Sequence, residues 1–423
     1  MKELLKRWNS WWVHKKVPKN KTRITRQDLL NNLLKLSRPK EIIVLKGVRR
    51  SGKSTLIYQI IDNLLETVNP NNILYFNFDE PLEIKDINLL ENVYKIFLEL
   101  NNPKGRKYVF FDEIQNIPQW EKWLKKYYDL YGEEIKFIIT GSNSTMLSDK
   151  LSTLLTGRIL TKEIYPLSFN EFLHFNNILI KDLSFQKEEI EHFLSKYLII
   201  GGFPEVVLET DSEITHHRLK EYFDSILLRD IVTSQNIRET AKLRELAIYS
   251  MTNISSILSY NKMSKALKIN IHTLKEYLSF MENAYLIFQL RFFSYSLKES
   301  IMLQKPRKIF SIDTGLRNEA SFKFSKDTGK LAENLVFIEM KRRNSEIYYW
   351  QGKNEVDFIV KNKDDTLTAI NVVYGEINER EIKGLLEFKK KFKNAELMVL
   401  TKDTEKKEEG IKFIPIWKWL LAG

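Results

Sequence analysis

Cysteine is absent from the 423 residues. Disulfides, thiolate metal sites and a cysteine nucleophile are thereby excluded, and a cytoplasmic location is expected. Long apolar runs are absent too. No stretch of about 18 or more apolar residues occurs, so no segment is expected to span a membrane. The opening residues, Met1-Lys2-Glu3-Leu4-Leu5-Lys6-Arg7-Trp8, lack the apolar core of a secretory signal. Negative charge is scarce at one end of the chain. Residues 1–40 hold twelve Lys and Arg against Glu3 and Asp28, a net of +10, while the whole chain carries +12. The body is therefore close to neutral, and the arm, residues 1–24, points to a polyanion partner.

Trp8, Trp11 and Trp12 lie inside that arm, and rings among cations suit stacking on nucleic-acid bases. A membrane-surface helix, or a Trp cluster packed on the body, are the alternatives. Lys15, Lys16, Lys19, Lys21 and Arg23 are the candidate phosphate contacts. The remaining composition, 43% hydrophobic and 29% charged, suits a globular protein of about two to four domains.

The chain is organised around Gly47-Val48-Arg49-Arg50-Ser51-Gly52-Lys53-Ser54, a G-x-x-x-x-G-K-S phosphate-binding loop. Residues 41–46 before it are apolar and β-branched, which predicts a buried strand. Thr55 and the residues after it continue as a helix with an apolar face. In that context backbone N–H groups and the helix N-terminus face the phosphates of a nucleotide. Lys53 reaches the β- and γ-phosphates, and Ser54 ligates Mg²⁺. A second strand, 73–78, ends in Asp79-Glu80-Pro81, a turn or an acidic pair facing the site. The run Tyr108-Val109-Phe110-Phe111 then ends in Asp112-Glu113. Asp112 is expected to hold Mg²⁺, and Glu113 to deprotonate the attacking water. After the strand 135–139, Ser142 and Asn143 are candidate sensors of the γ-phosphate. Arg158, just before another strand, is a candidate finger acting on a neighbouring subunit's nucleotide.

The order of these motifs resembles that of AAA-type ATPases of archaea and bacteria whose ATPase domain is followed by a second conserved domain. The residues carrying the resemblance are 47–54, Phe-Phe-Asp-Glu-Ile-Gln (110–115), Thr-Gly-Ser-Asn (140–143), Leu-Thr-Gly-Arg (155–158), Tyr-Pro-Leu-Ser-Phe (165–169) and Gly-Gly-Phe-Pro-Glu (201–205). The resemblance runs from about residue 22 to about residue 400. It implies an α/β fold: a parallel P-loop NTPase sheet (25–165), a helical lid (166–240), a winged helix (241–300) and a restriction-endonuclease-like α/β domain (301–423).

Gly201-Gly202-Phe203-Pro204 resembles a lid motif of signal-transducing NTPases, in which Pro204 would pack near the nucleotide. Two glycines and a proline also suffice for a tight helix–helix corner. Residues 253–295 read as helix-turn-helix, with His272, Thr273 and Lys275 offered to DNA by the second helix. In the last domain Glu333 and Asp357 match the metal-binding carboxylates of the nuclease fold. Its Glu-x-Lys position reads Asn371-Val372-Val373, so one carboxylate and the lysine are gone, and cleavage is not expected.

The expectation is Mg²⁺-dependent ATP hydrolysis by a ring or partial ring, coupled to remodelling or translocation of duplex or branched DNA. The alternative is a nucleotide-controlled switch that exposes a surface for a protein partner.

Overall fold

Five runs rich in Ile, Val, Phe and Tyr form parallel strands: β1 (Ile42–Lys46), β2 (Ile73–Asn77), β3 (Lys107–Asp112), β4 (Ile135–Gly141) and β5 (Ile159–Glu163). They pair in the order β2-β3-β4-β1-β5. The four strands β1 to β4, largely apolar and buried, fit a sheet covered on both faces, while β5 is the more exposed edge. The pleat sends alternate side chains to opposite sides. Phe76, Phe111 and Phe137 enter one core with Trp123. Ile43, Leu45 and Phe110 enter the other with Ile57 and Ile60, from the helix Lys53–Leu64. The computed structural model describes residues 1–83, 85–142, 154–183, 185–294, 306–321 and 327–422. The chain divides into two compact units, Met1–Ile164 and Tyr165–Gly423. Among the described residues, no helix is long and apolar enough to cross a membrane.

Because the strands are parallel, Lys46, Asn77, Asp112 and Gly141 all end on one edge of the sheet. β1 lies between β4 and β5, so the loop after β1 opens where the winding reverses. Ligands of open α/β sheets bind at that position.

The N-terminal residues correct the expectation of rings free to stack on bases. Trp11 is fully buried, and Trp8 and Trp12 pack against the cores of the first unit. β2 is an edge strand, and an open edge invites pairing with another chain. Here the arm covers it. Trp11 Nε1 and Trp12 Nε1 both donate to the Ile73 carbonyl, at 3.2 and 2.8 Å. Asn9 Nδ2 donates to the Tyr75 carbonyl at 2.9 Å, and Asn9 Oδ1 accepts the Tyr75 N–H at 2.7 Å. Indole burial drives the arm onto the sheet, at about 2–3 kcal/mol for a large side chain. Lys21 also turns inward, its ammonium 4.7 Å from the Tyr58 ring centre and 5.1 Å from that of Trp8. Lys15, Lys16, Lys19 and Arg23 remain exposed.

In the second unit, β6 (Ser256–Leu258), β7 (Ile287–Leu290) and β8 (Arg307–Ser311) form an antiparallel sheet in the order β6-β8-β7. Sequence reasoning places β8 at the opening of the last domain, but it is the central strand of this small sheet. Two helices, Tyr260–Leu267 and Ile271–Asn283, precede β7. Lys268, at φ 51°, turns the chain between them, and Asn270 Oδ1 caps the second by accepting the His272 N–H at 2.8 Å. A six-stranded mixed sheet follows: β9 (Glu346–Gln351), β10 (Glu355–Lys361), β11 (Leu367–Val373), β12 (Glu396–Thr401), β13 (Lys406–Glu408) and β14 (Ile411–Pro415), in the order β13-β14-β12-β11-β10-β9.

The glycine corner is explained inside this unit. Gly201 has φ +72°, and a Cβ there would meet Asp313 Oδ1 at 2.0 Å. Asp313 Oδ2 accepts the Gly202 N–H at 2.7 Å, and Oδ1 accepts the Leu316 N–H at 2.9 Å. One buried carboxylate thus joins the corner to the N-terminus of the helix Thr314–Ala320. Burial pushes the Asp313 carboxyl up to about 6. Pro204 opens the short helix Pro204–Val207, where its missing N–H costs nothing.

Candidate functional site

The loop after β1 is shaped by two glycines and a lysine. A Cβ on Gly47 would meet the Ile164 carbonyl oxygen at 2.1 Å, so only glycine fits there. Gly52 has φ +96°, and Arg50 joins it in the left-handed region at φ 69°. Lys53 is buried, and its ammonium donates to the carbonyls of Gly47 and Val48 at 2.8 and 3.0 Å. Ser51 Oγ is buried without a hydrogen-bond partner. An orphaned hydroxyl inside such a loop fits a bound phosphate oxygen. Buried Arg26 braces the loop from outside, donating to the Ser51 carbonyl at 3.2 Å. Arg49 lies 3.7 Å from Asp79, so one member of the acidic pair after β2 reaches the loop.

Asp112, at the end of β3, is fully buried. Two hydroxyls donate to its carboxylate, Tyr75 at 2.9 Å and Thr140, and the Ser54 hydroxyl, at the start of the helix after the loop, lies near enough to act on its charge. Burial raises the Asp112 carboxyl above its ordinary range, the Glu113 charge adds to the rise, and the hydroxyls oppose it. Glu113 stands at φ 52°, a strained conformation for a residue with a Cβ. It is held by its N–H, which donates to Thr140 Oγ1 at 3.0 Å. Gln115 Nε2 donates to the Glu113 carboxylate and, at 3.3 Å, to Ser142 Oγ. The fold thus brings together Lys53, Ser54, Asp112, Glu113 and Ser142. Sequence reasoning missed Tyr75, Thr140, Gln115 and Arg26. The register Asn77↔Asp112 puts Tyr75 on the strand flanking Asp112, a pairing that periodicity alone does not reveal.

Other expected site residues fall elsewhere. Asn143 lies outside the described residues. Arg158 precedes β5, whose Ile159 pairs with Ile42 at the start of β1. That is the end of the sheet opposite the phosphate loop, roughly 15 Å away along the strand. Arg158 Nε is ion-paired there with Asp129 at 2.9 Å. Pro204 belongs to the second unit. On the helix Ile271–Asn283, His272 and Lys275 are exposed and Thr273 half-buried, but His272 has Glu276 3.5 Å away.

The nuclease-like positions hold a different surprise. Glu333 and Asp357 do converge, together with Glu355, but upon the ammonium of Lys308 from β8. Asn371 is no ligand in this cluster. Its Oδ1 accepts the Asp357 N–H at 2.9 Å and its Nδ2 donates to the Glu381 carbonyl at 2.8 Å.

Residues 39–173 match the family model described as an AAA domain. Residues 191–327 and 328–419 match two domains of unknown function, DUF8612 and DUF4143. Over 408 residues the chain is 36% identical to the uncharacterized protein MJ1544 of Methanocaldococcus jannaschii, covering 91% of this chain and 89% of that protein. An uncharacterized protein of Haemophilus influenzae is 32% identical over 412 residues, 95% of this chain and all of its own. Among solved structures, the Walker-type ATPase PABY2304 of Pyrococcus abyssi aligns over 70% of this chain and 96% of its own, at 15% identity and a TM-score of 0.45. The Aeropyrum pernix ORC1 protein in complex with DNA aligns over 73% and 95%, at 12% identity and a TM-score of 0.35.

Proposed function

The chain belongs to the same family as MJ1544 and carries an AAA domain, and from that premise we propose that it hydrolyses ATP at the Lys53–Asp112 site. One observation carries the reading: the phosphate loop after β1 and the buried Asp112 at the end of β3 open on the same edge of the sheet, with the Ser54 hydroxyl near enough to Asp112 to oppose the rise of its carboxyl. The two motifs needed for phosphate and for metal therefore adjoin. The orphaned Ser51 hydroxyl supports a phosphate in the loop.

ATP with Mg²⁺ supplies the phosphoanhydride that is cleaved. Lys53 exchanges its two carbonyl partners for phosphate oxygens and offsets their charge. Ser54 and Asp112 provide the hard oxygen ligands that Mg²⁺ prefers. Thr140 holds Asp112 and the Glu113 backbone together, and so sets the distance between the metal ligand and the base. Glu113 accepts the proton of the attacking water once Gln115 releases its carboxylate. Glu113→Gln should keep ATP binding and lose about 100-fold or more in turnover. Normal turnover in that variant would remove Glu113 from the base role.

Arg158 lies on the wrong end of the sheet to reach its own chain's loop, which supports a role on a neighbour and hence self-association. Mixing Arg158→Ala with Lys53→Ala subunits should restore part of the activity. DNA is the proposed polyanion, supported by the net +10 of residues 1–40 and the exposed Lys15, Lys16, Lys19 and Arg23. The inward-facing indoles leave backbone phosphate, rather than bases, as what this arm meets. Duplex DNA should stimulate hydrolysis at low salt and lose that effect as salt rises. ATPase activity indifferent to DNA under those conditions would favour the nucleotide switch.

A further inference from the structure

Lys308 is a lysine inside a largely buried strand, between Arg307 and the fully buried Ile309 and Phe310. Its side chain is 1% exposed. The ammonium lies 2.6 Å from Glu333 Oε1, 2.6 Å from Glu355 Oε1 and 2.9 Å from Asp357 Oδ1. Asp357 Oδ1 accepts one of its N–H donors, and the Glu333 and Glu355 carboxyl groups stand beside it as ion-pair partners. Contacts this short between ionised groups are charge-assisted.

The carboxyl groups arrive from different elements. Glu333 comes from the helix Thr328–Arg342, and Glu355 and Asp357 from one face of β10. β10 carries a bulge between Val356 and Ile359, a device that re-aims side chains next to functional sites. Asp357 is further fixed by its backbone N–H to Asn371 and by the Val372 N–H, which donates to Asp357 Oδ2 at 2.9 Å. Several carboxylates aimed at one point from rigid elements is what a hard divalent cation asks for. The lysine absent from the Glu-x-Lys position has a counterpart here, delivered by β8.

We propose that Lys308 is a built-in counter-ion occupying a divalent-cation site, so that this cluster holds the second unit together without metal. Tethered to the chain, the ammonium competes at high effective concentration with any metal in solution. Among the described residues, no three His, Asp or Glu side chains stand arranged to hold a metal ion as the structure stands, with the ammonium among these oxygens. With the ammonium removed, the same oxygens would close on a divalent cation and complete their charge balance that way.

The test is thermal unfolding in EDTA and in millimolar MnCl₂ for three forms of the full chain. They are wild type, Lys308→Met, and Lys308→Met combined with Glu333→Gln and Glu355→Gln. Lys308→Met should melt roughly 5 °C or more below wild type in EDTA and regain most of that loss with Mn²⁺. The triple variant keeps the phosphate loop and so reports any Mn²⁺ effect arising there. Wild type should respond to Mn²⁺ no more than the triple variant. Failure of Mn²⁺ to rescue Lys308→Met would overturn the proposal, as would a wild-type response beyond that of the triple variant. If Lys308→Met cannot be recovered, sensitised Tb³⁺ luminescence of wild type against the triple variant decides. Equal signals support the lysine as resident cation, and excess signal in wild type rejects it.

Discussion

Lys53 in the first unit and Lys308 in the second are both buried, and they are held in opposite ways. Lys53 donates to two neutral carbonyls of its own loop. Lys308 is enclosed by three carboxyl groups. A neutral carbonyl is a partner that an incoming phosphate oxygen can replace on the ammonium. A carboxylate satisfies donor and charge together, and the lysine is then committed to the fold. The electrostatics agree. The charges of Asp357, Glu333 and Glu355 raise the Lys308 ammonium well above the ordinary lysine range against a large burial penalty. A third lysine, Lys136, is also fully buried and donates to the carbonyls of Leu36 and Pro39, at 3.0 and 2.8 Å. Burial, helped by nearby Arg106, lowers it to about 8. Identical side chains at similar depth thus diverge according to the charge of what holds them.

Exchanging the assays applied to the two lysines gives the largest expected effects. Lys53→Ala should cost at least about 100-fold in ATP hydrolysis while leaving the unfolding midpoint nearly unchanged. Lys308→Met should destabilise the fold by about 3–5 kcal/mol, because one ion removed from a buried network strands its partners. Chemical denaturation of both variants checks this, and a large stability loss in Lys53→Ala would break the comparison. Lys136 sharpens it through pH. Its folded value, about 8, lies below the ordinary 10.5, so its contribution is fully present above pH 10.5 and is lost as pH falls through 8. Wild type should therefore gain stability relative to Lys136→Met between about pH 8 and pH 10. Urea midpoints across that range measure it, and parallel curves would refute the assignment. The smallest effect concerns Asp112. Tyr75→Phe removes one of the two hydroxyls that donate to its carboxylate and should raise the Mg²⁺ concentration for half-maximal hydrolysis by about tenfold. Binding of metal-free ATP should not change. An equal loss in both would mean that Tyr75 is merely structural.

The first unit was readable where chemistry follows the chain. Gly47 to Ser54 is one contiguous loop, and Asp112 and Glu113 end one strand, so sequence order and spatial order coincide. Tyr75, Thr140 and Gln115 escaped because they meet Asp112 and Glu113 across strand register and turns, which local patterns do not encode. The arm misled for a different reason. Charge and aromatic content are the same whether indoles face a nucleic acid or an edge strand, and only the Ile73 and Tyr75 partners tell them apart. In the second unit, the absence of a lysine from Asn371-Val372-Val373 is plain in the sequence. Its counterpart is not, because Lys308 lies 65 residues upstream of Val373 on a strand of another sheet.

The amide of Asn9 acts on β2 as a single residue of a missing sixth strand would, offering one donor and one acceptor to Tyr75. With the two indoles on Ile73, it closes the sheet at five strands. A chain cut just before Val17 would keep the whole phosphate site in its sequence. It would also present a bare apolar ladder on which a second copy could nucleate. The first sixteen residues thus carry a task on the sheet edge at β2 that is separate from any partner their charge attracts.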